Sequence, residues 1–481
     1  MALWADRLVK HEWKWVLALS LLGLALRIGY VLSQQPGFYF MDSLEYDRAA
    51  RTFLETGHFD PKYYRLPLYP VFMAMVYSVF PSEPASLRLV QTFAGVLICL
   101  VVWGLARRLF GPPTALVALA GSVLFPVHIV LSGIEYPVLL GTLLIWLVLW
   151  ALVAREQSES RSFELLLAAG LGAAVTAMLF EAGLVLGFFA LLCVLGRRAP
   201  WQARLVDLAV LAILGVTLLG TWTLKMVRSD DFRPLVLKAG IHLPTAPGVD
   251  APLWEGSGEN LLSAKLAGLA RNPGWTVRHF FREFFHFWNP YPDRIASADE
   301  KFRKKSHALD ARMVVPNSLV GDLPRLLYAV GYSGLLFAAF LGAIAAFGNA
   351  RGAVILMTWP VVLGLCYSPF FTQMRYRIPA DPSFIIFGAY AVEAAIENTL
   401  WIRVIHFFKA LWEGWKKIAE KIMVFWTFVL LLLLFVLIVG PIAILMKIFR
   451  KDPMHAPLAP GSFWALREKT REGMEECLRQ F

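Results

Sequence analysis

Apolar runs of about 20 residues recur along this 481-residue chain, and they constrain its fold more than any other feature. A run of that length crosses the hydrocarbon core of a bilayer as an α-helix. Hydrophobic residues make up 58% of the chain and charged residues only 17%, whereas a soluble protein of this size would carry more charge. We therefore predict an all-α polytopic membrane protein with about eleven transmembrane helices.

The charge and the cysteines narrow the classes of protein further. A net charge of +11 alone would suggest nucleic acid, but cytoplasmic loops of membrane proteins gather Lys and Arg in any case, so we expect no nucleic-acid partner. The first apolar run lacks a small-residue cleavage site, so we expect a retained helix rather than a signal peptide. The cysteines suggest neither a disulfide framework nor a CxxC metal site. They are Cys99, Cys193, Cys366 and Cys477.

Basic residues and run lengths indicate the topology. Lys10 and Lys14 lie before or at the start of the first apolar run and place the N-terminus in the cytoplasm, so residues 34–88 form a first outer loop. Within that loop, residues 43–55 have the spacing of a helix that lies in the membrane interface. Residues 67–80 are apolar but too few for a full span, which predicts an interfacial or re-entrant helix.

Residues 226–324 contain no spanning run, and a connection of this length is expected to be functional. We predict that both outer loops belong to one transmembrane domain of residues 1–398. Residues 399–481 form a second region, which opens with a basic, aromatic helix at 401–421 that suits the anionic cytoplasmic leaflet. This region also contains a final span and a tail helix, at 423–445 and 462–480. The number of spans and the basic residues after the last one disagree on the side of the tail, which stays open.

If this topology holds, the charged residues of interest share the outer side of the membrane. They are Asp42, Glu45, Arg65, Glu135, Glu181, Lys225, Arg375 and Arg377. Acids and bases that converge on one outer cleft could hold an anionic lipid phosphate and activate an acceptor. Glu181 and Lys225 are the weakest candidates, because either could simply mark a helix end.

Asp42 follows the apolar residues 38–41, and a carboxylate at such an interface can be desolvated. Desolvation raises its proton affinity, which suits a general base. The equal alternative is an N-cap for the helix at 43–55. Glu135 lies on a turn before Pro137, where it could assist the base or bind a hydroxyl group, or could equally be a solvated loop acid.

Arg375, Tyr376 and Arg377 lie at the outer junction of two spans. Two guanidinium groups can fork onto one phosphate, whereas basic residues at an interface often only snorkel. Arginines on the outer side run against the positive-inside bias, which favours anion binding. The histidines show no HExxH or paired-ligand spacing, which argues against zinc, and no cofactor is indicated. A divalent metal between the outer acids is left open.

Motifs along the chain occur in a specific order and spacing. The first outer loop contains Asp42-Ser43-Leu44-Glu45-Tyr46 and Arg65-Leu66-Pro67-Leu68-Tyr69-Pro70. Shorter motifs follow at 107–111, 132–135, 222–225, 272–274, 287–288 and 375–379. Together they resemble those of the polytopic GT-C glycosyltransferases, and most of all the bacterial relatives of protein O-mannosyltransferases (glycosyltransferase family 39) and of lipid A aminoarabinose transferases. The resemblance covers about residues 15–393 and departs from the family pattern at Leu66, at Lys225 and at Phe180-Glu181.

The resemblance implies that residues 1–398 form a GT-C-like catalytic domain, which moves a sugar from a polyprenyl phosphate such as undecaprenyl phosphate by inverting displacement. It implies a multi-pass protein of the plasma (bacterial inner) membrane, with its site facing the periplasm or cell exterior, and an envelope acceptor that is a lipid, a glycan or a protein. In this interpretation the catalytic residues are Asp42, as the base or the acid that orients the acceptor, and Glu135, as the second outer acid. The implied substrate-binding residues are Glu45, Tyr46, Arg65, Tyr69, Lys225, Arg375, Tyr376 and Arg377.

A polytopic transporter or flippase of lipid or sugar is the alternative. Such proteins often have internal repeats and broken helices with polar residues near the midplane. This chain has its charges at one face, no visible repeat and a long outer loop that transport does not explain. A non-catalytic scaffold is a further alternative, against which the presence of Asp42 and Glu135 argues. The donor sugar, the acceptor and the oligomeric state are not predicted.

Overall fold

A computed structural model of the chain describes residues 10–60, 63, 65–158, 161–227, 243–247, 258–291, 322–348, 352–370 and 372–449. Within these ranges the regular structure is helical, without strands. The all-α prediction is therefore confirmed. The predicted tail helix at 462–480 lies outside the described residues.

The first ten helices include long apolar helices and shorter ones. They are α1 (Glu12–Leu32), α2 (Met41–Thr56), α3 (Leu68–Val79), α4 (Pro84–Phe110), α5 (Pro112–Leu124), α6 (Pro126–Leu131), α7 (Val138–Gln157), α8 (Ser162–Leu179), α9 (Ala182–Gly196) and α10 (Trp201–Val227). The two helices expected in the first outer loop are α2 and α3.

The remaining helices include two from the large outer loop, α11 (Gly258–Arg271) and α12 (Pro273–Phe287). The others are α13 (Asp322–Ala346), α14 (Ala353–Tyr367), α15 (Met374–Arg377), α16 (Asp381–Ile396), α17 (Leu400–Leu434) and α18 (Gly440–Ile448). A 3-10 turn at Ile378–Ala380 joins α15 to α16, and a π-helical segment at Phe435–Val439 joins α17 to α18.

Seven helical stretches of the described residues are long and apolar enough to cross a membrane, namely α1, α4, α7, α8, α10, α13 and the stretch from α17 to α18. Four shorter apolar helices, α3, α5, α9 and α14, accompany them. The prediction of a multi-pass membrane protein is confirmed. The number eleven stays a prediction.

Two elements differ from the sequence-based expectation. The single span expected at 114–131 is divided between α5 and α6, because Pro126 has no N–H to continue the α5 ladder and opens a new helix instead. The basic helix and the final span, expected as separate elements, are parts of one continuous helix from Leu400 onward. No proline interrupts that helix before Pro441, which agrees with its continuity.

The packed interior fixes the segment between α15 and α16. Trp146 on α7 and Trp359 on α14 are both fully buried. Their indole N–H groups donate to the same acceptor, the carbonyl oxygen of Pro379, at 2.9 and 3.0 Å. The chain that follows α15 is thus held by α7 and α14. By its internal contacts the chain divides into residues 1–407 and residues 408–481, and the residues discussed below belong to the first unit.

Candidate functional site

The acidic motif of the first outer loop forms the start of α2. Asp42 and Glu45 are three residues apart, so they lie on one face of the helix. Arg65 joins them: its Nη2 donates to Asp42 Oδ1 at 2.7 Å and its Nε donates to Glu45 Oε2 at 2.6 Å. The N-cap residue of α2 is Phe40, and the Asp42 carboxylate binds Arg65, so the N-cap interpretation of Asp42 is wrong.

Tyr136 and Arg375 approach the same carboxylate from distant parts of the chain. The Tyr136 hydroxyl donates to Asp42 Oδ2 and accepts a hydrogen bond from Arg375 Nη1 at 2.6 Å. Arg375 Nη1 itself lies 3.7 Å from Asp42 Oδ2. Because the Asp42 side chain is 29% exposed, a ligand can reach these groups. We call Asp42, Glu45, Arg65, Tyr136 and Arg375 the outer cluster.

The outer cluster favours the charged form of Asp42. Burial alone would raise the pKa of this carboxyl, but Arg65, the hydrogen bond from Tyr136 and the charge of Arg375 together hold the pKa below its ordinary value. Burial acts in the expected direction but is outweighed, so the predicted net rise in the proton affinity of Asp42 is wrong for this structure. Asp42 is a carboxylate at neutral pH, and its cationic partners limit its strength as a base.

Hydrogen bonds to the backbone hold the turn that carries Tyr136. Gln91 Nε2 donates to the carbonyl oxygen of Ile134 at 2.9 Å, and Ser43 Oγ donates to that of Glu135 at 2.8 Å. Gln91 comes from α4 and Ser43 from α2, so both neighbouring elements fix the turn. The position of the Tyr136 hydroxyl is thereby set from two sides.

Glu135, the predicted second acid, is fully buried and pairs with Arg88 on α4. Arg88 also donates to the carbonyl oxygens of Gln35 and Gly37, at 3.0 and 2.6 Å. Burial raises the pKa of Glu135 to about 7, although Arg88 lowers it. The solvated-acid interpretation of Glu135 is wrong, since the residue has no exposed surface. Its direct part in chemistry stays a prediction.

Aromatic rings pack behind the outer cluster. The ring of Tyr46 meets those of Tyr69 and Tyr136 edge-on, with centroids 5.0 and 5.9 Å apart, and Arg65 lies 5.3 Å from the Tyr46 ring centre. Tyr69 is fully buried, and its hydroxyl donates to Gln91 Oε1 at 2.8 Å. In this structure the two tyrosines support the cluster as packing. The substrate contacts predicted for them stay predictions.

The two arginines of α15 have separate partners. Arg375 belongs to the outer cluster, whereas Arg377 is buried and donates from Nη1 to the backbone carbonyl of Asn289. The Arg377 guanidinium lies 4.1 Å from the centre of the Tyr332 ring, and the Tyr332 hydroxyl donates to Asp381 Oδ1 at 2.7 Å. The four-residue helix therefore presents one guanidinium to each of two environments.

The second environment adjoins an apolar groove of about 770 Å³ between α5, α13 and α16. Tyr332, on which Arg377 packs, is one of its lining residues. Four glycines also line it, one on α5, two on α13 and one on α16: Gly121, Gly331, Gly334 and Gly388. Through its two arginines, α15 thus connects the polar outer cluster with an apolar groove.

Helix α12 of the large outer loop holds the segment that precedes α15. Glu283 Oε2 accepts hydrogen bonds from the backbone N–H of Thr372 at 2.9 Å and from its hydroxyl at 2.8 Å. His286 Nδ1 lies 2.9 Å from the same hydroxyl oxygen. The described part of the loop therefore helps to place the arginines.

The remaining candidates differ in how fully the structure describes them. Tyr376 is buried and stacks on Tyr367 at 4.6 Å, and its hydroxyl accepts from Arg375 Nη2 at 3.3 Å. Burial raises the pKa of Tyr376, whereas the charge of Arg375 lowers it. The charge of Glu181 also raises this pKa, so Glu181 lies near the cluster. Lys225 lies on α10, but its side chain is outside the described part of the chain.

The sequence-based selection did not include Tyr136, Arg88 or Gln91. Tyr136 had only one signal, its place next to Glu135 on the turn. Arg88 is an arginine near the outer end of a span, the property that singled out Arg375. Among the residues that the structure describes, no group of three or more His, Cys, Asp or Glu side chains is placed to hold a metal ion.

Comparisons with known proteins find one matching family model and several similar solved structures. Residues 62–222, about a third of the chain, match the family model for dolichyl-phosphate-mannose-protein mannosyltransferase. The crystal structure of ArnT from Cupriavidus metallidurans, bound to undecaprenyl phosphate, is similar with a TM-score of 0.50 and 15% identity, over 82% of this chain and 62% of that one. The archaeal oligosaccharyltransferase AglB from Archaeoglobus fulgidus, in complex with an inhibitory peptide and a dolichol-phosphate, gives a TM-score of 0.48 and 14% identity, over 87% and 54%.

No curated protein matches the chain significantly by sequence. The chain spans less than two thirds of the length of the solved structures named above. The family match and the likeness to ArnT nevertheless confirm the resemblance that the motifs implied, and the fold is GT-C-like.

Proposed function

We propose that this chain is an integral-membrane glycosyltransferase of the GT-C class, which moves a sugar from a polyprenyl-phosphate donor to an envelope acceptor. The observation that carries the proposal is the position of α15, with Arg375 beside Asp42 and Arg377 on Tyr332 at the apolar groove. A donor with an apolar tail and an anionic phosphate suits this junction. Its chain can lie in the groove while its phosphate meets guanidinium groups.

The proposed reaction is a direct displacement that inverts the anomeric carbon. An acceptor oxygen or nitrogen forms a bond to that carbon while the bond to the donor phosphate oxygen breaks, and polyprenyl phosphate leaves as an anion. Asp42 takes the proton of the acceptor. Arg375 and Arg377 stabilise the charge that develops on the phosphate, as donors in an oxyanion site do. Arg65 orients Asp42.

Two further observations support this function over its alternative. The family model that matches residues 62–222 is named for an enzyme that uses dolichyl-phosphate-mannose, and ArnT was solved with undecaprenyl phosphate. The transporter or flippase alternative is not favoured, because the charged groups of the outer cluster gather at helix ends and turns instead of near the middle of spanning helices. We place the chain in the plasma membrane, with the outer cluster facing the periplasm or cell exterior.

The test measures the release of polyprenyl phosphate by the purified chain, offered a panel of polyprenyl-phosphate sugars and envelope acceptors. Asp42→Asn should lower the release rate by on the order of 100-fold, because it removes a group that acts in the transition state. Glu55→Gln is the matched control, since Glu55 is an exposed acid on the same helix. It should leave the rate unchanged.

Other outcomes would change the assignment in defined ways. Equal release by the native chain and Asp42→Asn would remove Asp42 from the chemistry. If no donor in the panel reacts while the chain moves labelled lipid across vesicle membranes, the transporter alternative replaces the enzyme.

A further inference from the structure

The outer cluster contains a hydroxyl group that neither base catalysis nor phosphate binding requires. Tyr136 lies between Asp42 and Arg375. Its hydroxyl donates a hydrogen bond to the Asp42 carboxylate and accepts one from Arg375 Nη1 at 2.6 Å. The turn that carries it is fixed through Gln91 and Ser43. Because the hydroxyl bonds to both groups, a change in the hydrogen bonding of Arg375 alters the hydrogen bonding of Asp42.

Arg375 is available to a stronger partner. Its Nη1 and Nη2 bond to the hydroxyls of Tyr136 and Tyr376, and the Asp42 carboxylate lies at 3.7 Å. Its Nε is buried and has no hydrogen-bond partner among the described residues. A phosphate offers charge-assisted hydrogen bonds, which are roughly twice as strong as those between neutral groups.

We propose that Tyr136 is a positioning residue that couples donor binding to the state of Asp42. Its hydroxyl connects Asp42 and Arg375 through two hydrogen bonds. A donor phosphate that binds Arg375 displaces this hydroxyl from the guanidinium and leaves Asp42 able to accept a proton. This inference rests on the proposed function. It assigns the site an order of events, in which the base becomes active only when the donor is bound. An acceptor that arrives first meets a carboxylate that already accepts hydrogen bonds from Arg65 and Tyr136 and lies 3.7 Å from the Arg375 guanidinium.

Electrostatics points in the same direction. The groups that face Asp42 are Arg65, Tyr136 and Arg375, with Tyr46 and Tyr376 within range of its charge. Glu45 shares Arg65. A bound phosphate adds a negative charge and withdraws a positive one, and both changes raise the pKa of Asp42 above the lowered value it has in this structure. A pKa that rises on binding makes binding depend on pH.

The probe is undecaprenyl-phosphoryl-glucose, a phosphodiester whose charge does not titrate in the range used. Its affinity for the purified native chain should be highest below about pH 4 and should fall as the pH rises through the pKa of Asp42 in the bound chain. The fall should be on the order of tenfold, since a one-unit rise in this pKa on binding corresponds to tenfold in affinity. Tyr136→Phe should reduce this fall to about threefold or less. The same variant should bind more tightly than the native chain at neutral pH, because the phosphate no longer has to displace the Tyr136 hydroxyl from Arg375.

Tyr77→Phe is the matched control. The Tyr77 hydroxyl also donates to a carboxylate of α2, that of Asp47, at 2.8 Å. It should keep the native pH dependence. If Tyr136 is merely structural, Tyr136→Phe weakens binding at every pH, and this outcome overturns the proposal.

Asp42→Asn provides a second test that does not depend on the folding of the tyrosine variant, because it should abolish the pH dependence. Persistence of the native dependence in Asp42→Asn would overturn the coupling while leaving the proposed function intact. Failure of the native chain to bind any polyprenyl-phosphate sugar of the donor panel at any pH would overturn both, so the two failures can be told apart.

Discussion

Two carboxylates of this protein lie on neighbouring elements, yet their surroundings shift their proton affinities in opposite directions. The pKa of Asp42 is lowered because Arg65, Tyr136 and Arg375 outweigh its burial. The pKa of Glu135 is raised to about 7 because burial outweighs its one cation, Arg88. Such a difference between paired acids is what separates a group kept charged for chemistry from one that can be neutral.

The pKa of Glu135 predicts how stability depends on pH. Between about pH 4.5 and pH 7 the folded chain holds this proton more firmly than the unfolded chain, so the stabilisation is complete at the acid end and is lost as the pH rises to about 7. The loss is on the order of 3 kcal/mol, because the pKa is about 7 in the folded chain instead of the ordinary 4.5. Glu135→Gln should remove this part of the pH dependence, as measured by denaturation in detergent over the same range.

Glu55→Gln is the reference for that measurement, because it makes the same substitution at an exposed glutamate. Parallel curves for the native chain and Glu135→Gln would show that Glu135 keeps an ordinary proton affinity in its pair with Arg88.

At the scale of single residues, the sequence was sufficient to select Asp42, Glu45, Arg65 and Arg375, which the fold brings together. It could not give the sign of the Asp42 pKa shift. That sign depends on contacts between residues 65, 136 and 375, which are far apart in the chain. It also could not select Tyr136, because a tyrosine on a turn has no distinguishing pattern.

At the scale of elements, the arginine helix α15 depends on a neighbour from the large outer loop. Glu283 on α12 binds both the backbone N–H and the hydroxyl of Thr372, two residues before the helix begins. A short helix contributes little stability of its own, so such tertiary contacts must place it. The loop thus acts on the site through a defined hydrogen bond.

Loosening this contact should impair function more than stability. Glu283→Ala leaves the Thr372 N–H without its acceptor, which costs about 1–3 kcal/mol locally and lets α15 shift. We expect the release rate of polyprenyl phosphate to fall by on the order of tenfold, since small displacements of positioning groups have effects of this size or larger. Arg278→Ala, an exposed position on the same helix, should match the native chain. A rate unchanged in Glu283→Ala would mean that α15 keeps its place without α12.

Element boundaries were predictable where local signals set them. The expected helices at 43–55 and 67–80 are Met41–Thr56 and Leu68–Val79 in the structure. The division of the span at 114–131 was missed because an apolar run hides a proline break inside it. The continuity of Leu400–Leu434 was missed because its composition changes from basic to apolar, and composition alone does not end a helix.

At the scale of the whole molecule, the topology predicted from the basic residues places two exposed turns on opposite sides of the membrane. The loop after α2 belongs with the outer cluster, whereas the turn between α9 and α10 should lie in the cytoplasm. Cysteines introduced at His58 and at Arg198, both exposed, report on these two sides. In a Cys477→Ser background, a membrane-impermeant maleimide should label His58→Cys in intact spheroplasts and should label Arg198→Cys only after lysis. The reverse pattern would place the outer cluster in the cytoplasm.

The double hydrogen bond to the Pro379 carbonyl has a consequence for how a spent lipid would depart. Trp146 and Trp359 fasten the chain just beyond the arginines to the buried interior, so that segment cannot swing outward as a flap. If polyprenyl phosphate is the product, it has to slide off Arg375 and Arg377 sideways, within the plane of the membrane. The product and the next donor lipid would then use the same lateral route, so the product would have to leave before the next donor could bind.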